Sequence, residues 1–139
     1  MAKHSSKDAK RELESLAYCR RNAQRQTNRI ERLKAKVEPR ATTHDKVIVS
    51  GGQSQYEDRL IDLAEAMFQA EEVISSCDSL ERMIEHKVNL ISDHLLAEII
   101  IARYIEELEW KEVAEIVNYS LSWVHKLNRR ALRAYAEIM

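Results

Sequence analysis

Glycine and proline are scarce: two Gly and one Pro in 139 residues. Sandwiches, barrels and doubly wound sheets turn often, and turns draw on those two residues, so the shortage points to an all-α chain. Cysteine is nearly absent as well. Cys19 and Cys77 stand far apart with no Cys-x-x-Cys pair, and reduced thiols in a cytosolic protein are the expectation. No apolar run of about 18 residues and no signal peptide is present, which argues against a membrane span and against secretion. His4, His44, His86, His94 and His125 lack metal-ligand spacing, so no metal site is expected. The pair Gly51-Gly52 is no phosphate loop, and acidic neighbours such as Glu106-Glu107 point apart on a helix. Neither catalysis nor a cofactor is expected.

What the chain does have is a 45% hydrophobic share, enough for a packed core, and charge sorted along its length. The formal net charge is −1, but residues 1–40 carry 12 bases against 5 acids, a local +7. Residues 41–92 stand at −6 and residues 93–139 at −2. A search for a nucleic-acid binder by total charge alone would pass this chain over.

The periodicity predicts five helices. Leu16, Cys19, Ala23, Ile30, Leu33 and Val37 recur at steps of three and four, with Gln26 a polar break, in a helix from about Ser6 to Val37. Pro39 ends it, because the residue before a proline avoids helical angles. Residues 40–54, with Thr42-Thr43, a short Val47-Ile48-Val49 run and both glycines, read as a long connection. A second helix, about Gln55 to Ile91, carries Leu60, Leu63, Met67, Ala70, Ile74, Cys77, Ile84, Val88 and Ile91, with Glu81 intruding. The two stripes predict a long antiparallel helical hairpin. Ser92-Asp93 offers a cap for a third helix to about Glu107. A break at Leu108-Glu109 leads to a fourth over 110–117, and Ser120 caps a fifth through about Ile138.

Residues 110–129 have helix-turn-helix spacing. Ala114 lies where two helices approach closely. Asn118, four residues on, takes the turn position that favours a left-handed backbone, where Asn is the next best choice after Gly. Val113, Val117, Tyr119, Val124 and Leu127 are expected to pack the pair. Leu121, Ser122, Trp123, His125, Lys126, Arg129, Arg130 and Arg133 are expected to face outward. The last helix holds four bases against Glu137. A basic helix that opens with small polar residues suits a major groove, its first turn reading base edges and its Lys and Arg holding phosphates.

The stretch 96–132, with Ala102-Arg103-Tyr104, Glu109-Trp110-Lys111-Glu112-Val113-Ala114 and Arg129-Arg130-Ala131-Leu132, resembles region four of bacterial sigma factors. The layout of helical N-terminal half, loop and C-terminal module resembles phage-encoded regulators of the ArpU and RinA late-gene type. The resemblance implies base contacts from Leu121, Ser122 and Lys126. It implies phosphate contacts from His125 and Arg130, which the outward bases Arg129 and Arg133 and the cap Ser120 extend. Leu121 stands where sigma factors often have Arg, so a bidentate guanine contact is absent there. It could touch a thymine methyl instead, and a sigma-type promoter sequence is not implied.

Each functional reading has a bland rival. Trp123 either lies against DNA or packs on the hairpin or a second subunit, with the two evenly weighted. Trp110 reads as core. The basic face of the first helix, Arg20, Arg21, Arg25, Arg29 and Arg32, could touch nucleic acid. The opposed charges favour pairing with Glu57, Asp58, Asp62, Glu65, Glu71 and Glu72 of the second helix. The resulting expectation is a sequence-specific DNA-binding regulator of phage or prophage genes in the bacterial cytoplasm. A hairpin domain (1–91, loop about 38–54) would self-associate as a homodimer or contact RNA polymerase, and residues 92–139 would bind double-stranded DNA. Two rivals come from other classes. One is a small terminase subunit, which would assemble as a many-membered ring. The other is a polymerase-binding module without DNA contact.

Overall fold

The computed structural model describes residues 3–37 and 52–139. Most of the expected connection, including Pro39, Thr42, Thr43, the 47–49 run and Gly51, lies outside the described residues. All five elements in the described part are helical, and no strand occurs there: α1 (Ser6–Val37), α2 (Gly52–Asn89), α3 (His94–Ile100) with a π-helical continuation (Ile101–Ile105), α4 (Trp110–Val117) and α5 (Leu121–Ile138). Among the described residues, no helix is long and apolar enough to cross a membrane.

The ends of the helices follow from local chemistry. Before α1, the Ser5 backbone N–H donates to Asp8 Oδ2 at 2.8 Å while the Asp8 N–H donates to Ser5 Oγ at 3.2 Å, a reciprocal capping box. Those bonds from Ser5 hold the Asp8 carboxyl below its ordinary range. Asp93 caps α3, its carboxylate accepting from Leu95 and Leu96 N–H. The expected third helix to Glu107 stays α-helical only to Ile100. Beyond it the backbone widens, with Glu106 N–H donating to the Ile101 carbonyl at 2.8 Å. The sequence gives the reason. Ile99 and Ile100 are buried and so are Tyr104 and Ile105, five residues on. A turn that bonds every fifth residue puts both pairs on one face, which the α-helical repeat does not. The chain then leaves through Glu107 at φ 57°.

The described residues form two compact units: Met1–Cys19 with Cys77–Met139, and Arg20–Ser76. In the first, one core joins Ala9, Leu13 and Leu16 of α1, Ile84 and Val88 of α2 and the inward faces of α3 to α5. Ile84, Val88 and Ile91, on the hairpin side of the boundary expected from sequence, thus share a core with the C-terminal helices. Across this unit the Glu12 carboxylate accepts from Lys87 Nζ at 3.0 Å and from the Tyr135 hydroxyl at 2.5 Å, joining three helices. Cys19 and Cys77, expected as free thiols, are joined in a disulfide. Antiparallel α1 and α2 bring their Cα atoms to 5.7 Å, close enough to bridge.

In the second unit the helices also run antiparallel, since Arg29 reaches Gln69 (3.4 Å) while Arg59 reaches the Lys36 carbonyl (3.4 Å). Ala66 and Ala70 are buried and Leu63 and Val73 half-buried. Leu60, Met67 and Ile74, expected in the seam, are exposed. The small side chains of Ala66 and Ala70 turn the contact line toward themselves and leave those three beside it.

Candidate nucleic-acid interface

The bend between α4 and α5 is built from Ala114, Asn118 and Ser120. Ala114 is buried, and its carbonyl accepts from the N–H groups of Asn118 and Tyr119. Asn118 takes φ 63°, ψ 44°, the left-handed conformation that the sequence assigns to this position. Ser120 then caps α5, its Oγ accepting from Trp123 N–H at 3.2 Å. That bond uses a lone pair and leaves the hydroxyl proton free to donate outward. Val113, Val124 and Leu127 are buried and Val117 half-buried, as expected of the packing positions. Tyr119 is not one of them: it is 47% exposed, because the left-handed residue before it swings its side chain out of the seam.

One side of α5 is buried and the other is open. Val124, Leu127, Asn128, Ala131, Leu132, Tyr135 and Ala136 face the core. Leu121, Ser122, Trp123, His125, Lys126, Arg129, Arg130 and Arg133 are all exposed, together with Ser120 before them. The structure therefore brings every expected contact residue onto one open helix face and its cap, with Ser120, Leu121 and Ser122 at the N-terminal end and the arginines further along.

Five side-chain contacts at the site escaped the sequence. Trp110 is half-buried at the start of α4, and His125 lies against it with ring centroids 4.9 Å apart. On Trp110 also rests Arg103, its guanidinium carbon 4.7 Å from the ring centre while it donates to the Leu108 carbonyl at 2.9 Å. His125 is thus positioned by an aromatic on another helix. Trp123 is 38% exposed, and Lys126 Nζ (5.7 Å) and Arg130 Cζ (5.8 Å) both sit over its ring. The spacing of three and seven residues on one helix was the available signal. Beneath the face, Asn128 Nδ2 donates to the Tyr104 hydroxyl at 3.2 Å, fixing α5 to the π-helical turn. Burial pushes the Tyr104 phenol up although the Asn128 bond opposes it.

The arrangement offers hydroxyl and ammonium donors, guanidinium groups and an indole along one exposed helix face. Among the described residues no cluster of His, Cys, Asp or Glu could hold a metal ion.

Comparison with known proteins agrees with this geometry. Residues 96–134 match the family model described as Sigma-70, region 4, so the chain carries a sigma region 4 helix-turn-helix, a DNA-binding module. No curated protein and no solved structure matches the chain.

Proposed function

We propose that this chain is a transcription regulator of phage or prophage late genes, of the ArpU and RinA type, that binds duplex DNA through α5. The observation that carries the reading is the open, basic face of α5 within the region-four match. In this reading the first turn of α5 enters the major groove. Leu121, Ser122 and Lys126 meet base edges, and Ser120, His125, Arg129, Arg130 and Arg133 hold phosphates. Trp110 holds the His125 ring, and Trp123 spaces Lys126 and Arg130 along the groove wall. Residues 92–139 act as the DNA-binding module and residues 1–91 as the partner-binding part. The acidic stretch 57–85 offers itself to RNA polymerase in the cytoplasm of the bacterial host.

A mobility-shift assay against DNA upstream of the chain's own gene cluster tests the reading. Arg129→Ala with Arg130→Ala weakens binding to every sequence and flattens the plot of log affinity against log salt by about 0.9 per lost phosphate contact. Ser122→Ala and Lys126→Ala change the ranking of sites instead. Unaltered binding in all of these variants overturns the assignment.

A further inference from the structure

We propose that the exposed apolar face of α2 is the seat of a second copy of this chain, hairpin laid against hairpin. Within residues 52–76, α2 has two apolar stripes. One, from Leu63 through Ala70, is turned toward α1. The other, Leu60, Met67 and Ile74 at seven-residue intervals, lies about 80° further round at the α-helical 100° per residue. Ile61 and Phe68 widen it. These five side chains range from 39% exposed at Leu60 to 63% at Phe68. A helix with two apolar stripes near a right angle is built for two neighbours, the pattern of a four-helix bundle. Among the described residues of this unit, α1 is one neighbour, and the second stripe faces solvent.

Charge selects what sits there. The part of α1 in this unit, residues 20–37, carries seven bases and one acid, Glu31. The facing part of α2, residues 52–76, carries six acids and one base, Arg59. A foreign helix would need both an apolar stripe and a basic flank. A second hairpin supplies them together: its own Leu60, Met67 and Ile74 for the apolar stripe, and the exposed Arg25, Arg32 and Lys34 of its α1 for Glu57 and Glu71. A two-fold arrangement is closed, because the same patch is used on both copies and no stripe is left over.

The test is the mass of the full chain by light scattering and sedimentation equilibrium, without DNA, so it stands or falls separately from the DNA-binding reading. The expected result is a two-chain mass that weakens as salt rises. Met67→Glu raises the dissociation constant at least tenfold with unchanged helicity. Leu60→Ser, a milder change at an exposed position, shifts it the same way. Ile116→Glu, an exposed apolar position on α4, leaves it unchanged. A one-chain mass at every concentration overturns the proposal. So does a ring of many chains, a dimer indifferent to both α2 variants, or a dimer broken by Ile116→Glu.

Discussion

Tyr135 shows how much one side chain ties together. It is fully buried on α5, yet its hydroxyl donates to the Glu12 carboxylate on α1, which also holds Lys87 of α2. Burial first, and then the bond and the charge of Glu12, push the Tyr135 phenol far above its ordinary value of 10. Tyr104 is raised as well, mainly by burial. The native state therefore keeps two protons that the unfolded chain sheds above pH 10. These tyrosines leave stability level below that pH and lower it above, Tyr135 by up to about 1.4 kcal/mol per pH unit. Urea unfolding at pH values of about 9 to 11 should show the fall, and Tyr135→Phe should reduce its slope. At this scale the sequence was legible where a residue answers to its own backbone. Asn118 and Ser120 could be placed because one turn and one cap demand those residue types. Tyr119 was misplaced for want of the side-chain direction that the left-handed neighbour imposes. The contact of Trp110 with His125 joins two helices at a distance no spacing rule encodes.

At the scale of elements, α1, α4 and α5 have the bounds that their periodicity predicts. Long stripes with a cap at one end leave little choice. The stretch 101–105 was read as plain α-helix because periodicity rules assume one repeat, and a single five-residue step is invisible to them. The seam of α2 was half legible. Ala70 and Cys77 lie in it, while Leu60 and Met67, which keep the heptad rhythm, give way to the smaller Ala66, which permits the closer approach. The α4–α5 bend depends on Asn118. Asn118→Gly should keep the melting temperature, while Asn118→Val should destabilise the fold by about 1–2 kcal/mol, the cost of a left-handed residue with a branched side chain. Thermal unfolding followed by circular dichroism checks both. Loss of DNA binding in Asn118→Val below its melting point would add that the angle between α4 and α5 matters to the interface.

For the whole molecule, the sorting of charge told more than its total. The sequence disclosed an all-α chain whose last helix carries an exposed basic side. It did not disclose the Cys19–Cys77 bond, because the pairing depends on the register of two helices whose contact line is set by neighbours elsewhere. The bond spans 58 positions. Tethering that length of unfolded chain should stabilise the native state by about 3–4 kcal/mol through lost chain entropy. Unfolding of the Cys19→Ser, Cys77→Ser variant, or of the native chain with reductant, should show a loss of that order. The residues enclosed by the bond, Arg20–Ser76, are also the whole of the second compact unit. Together with the two bonded cysteines, those residues therefore make a covalent ring. A protease that nicks the backbone once anywhere within it opens the circle without releasing a fragment, and the cut shows itself only when a gel is run after the sulfur bridge has been reduced.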